Sequence, residues 1–335
     1  MKNLLQIHHF KLVILYLFAM KHLLFFCFLF LPIILFSQEK YAKEISFISD
    51  NDFYFSTFND RYYTNGLFLS YKYLSKTKKE NQEKRILEWQ IGHEMFTPYE
   101  AVVQSVNLHD RPFASYLFTS FGVNRIYKND RTLNTTIQIG VIGPNAFGKE
   151  LQDFIHDIYG FKKAIGWKHQ IKNAFGLNFN ANYNQFLIKD PSNHYDISWI
   201  NSAKTGTIYT NISSGFYARL GFKPLARIIN SIAFKTNLND KNTSFKREIE
   251  SFLYIKPLVR YTLYDATIQG SFLNTTSEVT KEVVPFVFHL ELGLKFTANR
   301  FHFGYIFNYN TNKSKNLRYD NGNNYGTVSV HYLLH

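Results

Sequence analysis

The sequence predicts an all-β protein, a transmembrane barrel of about twelve antiparallel strands with one short amphipathic helix inside or at the mouth of its lumen. Three observations lead there. The chain carries 34 Phe and 23 Tyr against only three Trp and three Met, with a moderate hydrophobic fraction of 45%. That balance suits a barrel, in which lipid-facing and lumen-facing residues alternate and aromatics ring both interfaces, and not a bundle of apolar helices. Second, long stretches alternate strictly, most clearly 301–309, where every odd position is aromatic. Third, the strand-like segments run to roughly 10–16 residues, well beyond the usual strand of about 5–6.

The first 37 residues read as an export signal. They hold Lys2, Lys11 and Lys21 and no acid, followed by the apolar run 23–36 and the small residue Ser37. Met20-Lys21 with residues 23–37 forms a well-proportioned signal by itself, which suggests a start at Met20. A membrane-spanning helix needs roughly 20 apolar residues, and His8, His9, Lys11, Lys21 and His22 interrupt the run. Residues 38–335 are then the barrel domain. The single cysteine, Cys27, falls inside the signal, so the mature chain has no disulfide and no thiolate chemistry. Losing three lysines and no acid takes the net charge from +13 to +10. An exported basic chain suits anionic lipid phosphates; no nucleic-acid motif is present.

Strands are expected at 44–55, 67–73, 85–96, 112–127 and 132–143, divided by the turn-rich segments 97–100 and 109–112. The period then changes. Over residues 150–159, at about 100° per residue, Leu151, Phe154, Ile155, Ile158 and Tyr159 share one arc, while Glu150, Gln152, Asp153, His156 and Asp157 share the other. Gly160 is the expected stop. Strands resume at 173–188, 195–203 and 205–222. The basic, Asn/Lys-rich stretch 223–248 reads as a long external loop. Strands at 250–268, 283–297, 300–310 and 325–334 complete the set.

Candidate chemistry sits in a few places. Asp50-Asn51-Asp52 interrupts an aromatic strand with carboxylate and amide oxygens, the donors preferred by hard cations; the alternative is a strand end at a wet rim. His156 is the one histidine on the polar face of the solitary helix, and a helical histidine is more often a packing or surface residue. Thr64, in Tyr-Thr-Asn-Gly, is by itself a plain strand residue. His109-Asp110-Arg111-Pro112 reads as an ion-paired structural turn. No nucleophile elbow, phosphate loop or His-Glu-x-x-His is present.

Taken in order, Asn51-Asp52, the run from Asp60-Arg61 through Thr64-Asn65-Gly66, Glu94-Met95-Phe96-Thr97-Pro98, Asp110-Arg111-Pro112-Phe113-Ala114, Gly140 to Pro144, and the helix from Gln152 to His156 followed by Gly166-Trp167 and Gln170 form a set. It resembles the outer-membrane lipid A 3′-O-deacylase family over most of residues 44–175. The resemblance implies a twelve-stranded barrel in the bacterial outer membrane and a Ca2+-dependent esterase that removes the 3′-linked acyloxyacyl group of lipid A. It implies active-site roles near the calcium for Asn51 and Asp52, a hydroxyl role for Thr64, and a general base in His156 on a helix within the barrel. Lys162 departs from the pattern, which places a glutamate there; Glu150, Asp153 or Asp157 would have to compensate. Lys162 and Arg61 are expected to meet the anionic substrate. Lipopolysaccharide and outer-membrane lipids are the implied partners of a monomer. The alternatives are an outer-membrane phospholipase, or a non-enzymatic barrel or pore whose site is degenerate.

Overall fold

Alternation along the chain, with period two, gives each strand one apolar face and one mixed face, and the cheapest way to use both in a membrane is to close the sheet. The computed structural model describes residues 40–55, 61–77, 79–100, 102–103, 105–160, 162–243 and 249–335; the expected signal and Asp60 lie outside these. The strands are β1 Lys43–Asn51, β2 Tyr62–Leu74, β3 Gln82–Thr97, β4 Ala114–Tyr127, β5 Arg131–Ile142, β6 Ala174–Lys189, β7 Tyr195–Gly206, β8 Tyr209–Gly221, β9 Ser251–Asp265, β10 Phe286–Ala298, β11 Phe301–Asn310 and β12 Asn323–Leu334. Each pairs antiparallel with its chain neighbours, and β1 pairs with β12, from Lys43 opposite Leu334 to Asn51 opposite Gly326. The barrel is closed and has no free edge.

The outward faces carry the aromatics and aliphatics: Ile45 and Phe47 on β1, Leu69 and Tyr71 on β2, Trp89 and Ile91 on β3 are all exposed. The intervening positions point into the lumen. There Lys72 meets Glu44 at 2.6 Å, and Arg219 donates to Asp196 through Nε at 2.9 Å.

Both described termini and the connections 75–81, 128–130, 190–194 and 299–300 lie at one end, the periplasmic end of such a barrel. The 222–250 connection is at that end too, and here the structure departs from the expected external loop. Ile228, Ile229, Asn230, Ser231, Ile232, Phe234, Thr236 and Leu238 are buried. They pack against the lumen-facing Ile86, Ile126, Tyr217 and Phe252. Lys84 donates to the Asn230 amide oxygen and the Thr236 carbonyl, each at 2.9 Å. The segment is an internal plug: its isoleucines leave water by entering the barrel.

The helix, α1, spans Gly148–Tyr159 and ends at Gly160 with φ 71°, a left-handed stop that glycine adopts without strain. Its position also departs from expectation. Glu94 and Phe96 line the lumen, so Met95 between them, with His93 and Thr97, shares the outward face of Trp89 and Ile91. Met95 clusters with Phe113, Ala164 and Trp167, and Leu151 of α1 packs on that cluster. A Cβ on Gly148 would stand 2.5 Å from that of Ser115, an outward residue of β4. The helix therefore lies on the outer wall at the extracellular end, not in the lumen. Its polar face still meets the barrel: Gln152 and His156 are buried, while Phe154 and Ile158 are 63% and 62% exposed.

Candidate active site

One lateral row of outward residues crosses four strands at the extracellular end. Asn51 on β1 is opposite Asn65 on β2, Asn65 is opposite Met95 on β3, and Met95 is opposite Ser115 on β4. Phe47, Leu69 and Ile91 lie lower on the same outward faces and are exposed; along this row Asn65, Met95 and Ser115 are buried. The register shift between Tyr63 and Asn65 inserts Thr64 as an extra residue. Its hydroxyl sits 2.7 Å from that of Thr97. β2 opens with Tyr62 at φ 64°, a strained conformation for a tyrosine.

Two sequence motifs explain each other here. Arg111 donates to the Tyr62 carbonyl at 2.6 Å and to the Thr267 hydroxyl at 2.8 Å, and its guanidinium lies 4.3 Å from the centre of the Phe96 ring. Burial pulls that guanidinium down to about 10, which leaves it charged at neutral pH. Asp110 accepts from the Tyr62 hydroxyl at 3.0 Å and from the Tyr99 amide at 2.9 Å. His109 anchors Nδ1 on the Ser105 carbonyl at 3.0 Å, and burial pushes its imidazole below the usual value. The expected structural turn thus holds the strained start of β2.

Asn51 ends β1 and caps a single 3-10 turn, its amide oxygen accepting from the Phe53 N–H at 2.7 Å. Asp52 is 3% exposed and accepts from the Arg61 N–H at 2.9 Å through Oδ2. The Arg61 guanidinium stacks 4.1 Å from the centre of the Tyr319 ring. Register therefore gathers Asn51, Asp52, Arg61 and Thr64 at one corner.

His156 comes from α1. Its Nδ1 lies 2.7 Å from the Lys162 carbonyl. A carbonyl can only accept, so Nδ1 carries a proton, and in a neutral ring Nε2 holds the lone pair. The Lys162 side chain is exposed, so what position 162 gives His156 is its backbone oxygen. Trp167 donates to Gln152 at 2.7 Å and fixes the polar face one turn away. Of the three acids that could stand in for a glutamate, Glu150 is exposed and Asp157 pairs with Lys163 at 3.1 Å. Asp153 bonds Lys149 at 2.6 Å through Oδ2, while its Oδ1 is buried with no described hydrogen-bond partner.

Asn65, Met95 and Thr97 stood in the motifs of the resemblance without a role of their own, and His93 shows no metal-ligand spacing in the sequence. The available signal was parity: they occupy the alternate positions that carry Leu69 and Tyr71 on β2 and Trp89 and Ile91 on β3. The lumen forms a separate chamber behind the wall, about 200 Å³, lined among others by Asp50, Glu94, Lys204, Arg260, Lys313 and Tyr325. Asp50 belongs to it and not to the corner with Asn51; its carboxylate accepts from Tyr63 and Thr327 at 2.7 and 2.6 Å.

Comparison with known proteins agrees with this architecture. No curated protein matches in sequence. Among solved structures, LpxR from Salmonella typhimurium superposes with a TM-score of 0.68 at 19% identity, covering 87% of this chain and 100% of the other. The translocator domain of the autotransporter NalP from Neisseria meningitidis gives 0.40 at 11% identity, covering 87% and 88%. The family described as "Outer membrane protein LpxR" matches over residues 23–334. The chain belongs to the LpxR family of outer membrane proteins.

Proposed function

We propose that this protein is a Ca2+-dependent ester hydrolase that removes the 3′-linked acyloxyacyl group of lipid A, working on the membrane-facing side of its own barrel wall. The observation that carries this reading is the position of α1. It starts over Ser115 on β4 and packs Leu151 onto the Met95 cluster on β3, so its axis leads towards β2 and β1. A helix rises about 1.5 Å per residue, which puts His156 about 12 Å along from Gly148. Strands lie about 4.8 Å apart, so Asn51 is about 14 Å across from Ser115. The two spans are comparable, and this supports a site formed between the helical imidazole and the Asn51–Asp52 corner.

Neutral His156 takes a proton from water at Nε2, with Nδ1–H tied to the Lys162 carbonyl so that the ring keeps its orientation. Such general-base help contributes on the order of 10²–10⁴-fold. Asp52 offers a buried carboxylate and Asn51 a half-buried amide oxygen, both of the type that hold calcium. Calcium bound there would polarise the ester carbonyl and stabilise its developing charge. The Thr64 hydroxyl, aligned by Thr97, is available as a hydrogen-bond donor at the same corner. Asp153, one turn before His156, is the acid best placed to supply the carboxylate that position 162 lacks. Exposed Lys162 and Lys168, with Arg61, supply positive charge for lipid A phosphates.

The test is mass analysis of lipid A from cells expressing the protein, with and without calcium chelation. His156→Ala and Asp52→Ala are each expected to lower deacylation by about 10²-fold or more, with barrel mobility on unheated gels unchanged. Full activity in either variant overturns the assignment. Release of glycerophospholipid acyl chains with lipid A intact would favour a phospholipase.

A further inference from the structure

The corner contains a polar group to which neither the sequence reading nor the roles above give a task. Asn65 is 4% exposed, and its Oδ1 is buried with no hydrogen-bond partner among the described residues. A buried carbonyl-type oxygen left without a donor costs roughly 1–3 kcal/mol, so its retention asks for an occupant. Its surroundings say what kind. Asn65 lies directly across from Asn51 on the same outward face, and side chains so paired have Cβ atoms about 4.5–5.5 Å apart. Asp52 follows Asn51, and its buried carboxylate brings a negative charge to the same corner. Asn51 commits one lone pair of its amide oxygen to Phe53 N–H, and an amide oxygen has two. Among the described residues no three His, Cys, Asp or Glu side chains gather at a metal-binding spacing. A cation at this corner must therefore draw on amide oxygens, which calcium accepts and softer metals do not favour.

We propose that Asn65 supplies a further oxygen ligand, through Oδ1, to the calcium ion held by Asn51 and Asp52. The proposal rests on the calcium reading above. It also gives the Thr64 bulge a purpose: the extra residue ends the regular pleat beside Asn65 and lets the rim fold over it.

The measurement is calcium affinity, by titration calorimetry with CaCl2 on the full detergent-solubilised chain, with calcium-dependent thermal shift as a second readout. Asn65→Leu removes the oxygen at similar volume and is expected to weaken calcium binding about tenfold, with calcium stabilisation reduced to match. Asn65→Asp adds a charged oxygen in the same shape and is expected to bind calcium severalfold more tightly. An unchanged affinity in Asn65→Asp, or in a folded Asn65→Leu, overturns the assignment while leaving the calcium reading standing. Absence of millimolar calcium binding by the unmodified chain overturns the calcium reading itself.

Discussion

Lys162 stands where the family resemblance led to the expectation of a glutamate, and the structure separates what its backbone and its side chain do. Its carbonyl oxygen orients His156, a task any residue can perform, whereas its ammonium group is in solvent. The substitution therefore removes a carboxylate without loosening the imidazole. Lys162→Ala is expected to leave kcat within about threefold and to raise KM for the phosphorylated substrate, since an exposed charge contributes chiefly to encounter. Asp153→Asn is the informative partner: with the inward oxygen made neutral, turnover is expected to fall at least tenfold. Steady-state assays on lipid A in mixed micelles check both. Equal loss in the two variants would return the side-chain role to position 162.

At the scale of the element, α1 inverts the usual amphipathic arrangement. A helix on a soluble domain hides its apolar stripe, whereas this one hides Gln152 and His156 and presents Phe154 and Ile158 outward, together with Phe147 in the preceding turn. Against a barrel wall in a membrane the outward side is the hydrocarbon side, so Phe154 and Ile158 are satisfied by lipid and Gln152 and His156 by the wall, while Glu150 and Asp157 stay exposed. Phe154→Asp would place a carboxylate in that layer. An acidic residue at the interface costs less than the roughly 2.5–3.5 kcal/mol of the bilayer centre, and about 1.4 kcal/mol is a tenfold change. Activity in lipid vesicles is expected to drop about tenfold, with a smaller loss in detergent, where head groups reach the helix. The same loss in both media would mean that Phe154 acts through packing alone. The periodicity made the two stripes of α1 legible in advance. Which side of the sheet they faced was not, because a period of two marks two faces without saying which is the lumen.

For the whole molecule, the plug bears on whether the lumen is open as a channel. Ile228, Ile229, Ile232 and Phe234 form an apolar stopper at the periplasmic end, pinned by Lys84 and by Glu250, which accepts from the Ile232 N–H at 2.7 Å. Composition read the segment as exposed because its Lys and Asn count dominates; the buried isoleucines within it are the part that decided its place. Purified protein in planar bilayers is expected to show no conductance. Replacing residues 226–239 with a short Gly-Ser linker is expected to produce stepwise currents. A conducting unmodified chain would favour the pore reading.

The approximate strand number, the antiparallel class and the helix at 148–159 were legible in the sequence alone, because alternation and a break in its period are local properties of the chain; the short helix Ala266–Gln269, expected as strand, was not. Eleven of the twelve pairings follow from connecting consecutive strands antiparallel, and closure follows because a sheet in lipid cannot keep a free edge. Asn51 and Asp52 were visible as polar residues where an apolar pattern should continue, whereas Thr64 stood out only through the family resemblance. The tertiary structure alone decided that Asn51 and Thr64 stand on the outer face, that α1 packs on the outer wall over β3 and β4, that Asn65 lies opposite Asn51, and that residues 226–239 turn inward. Each of these depends on registration between strands distant in sequence and on which side of a closed wall is wet. Neither is written in any single segment.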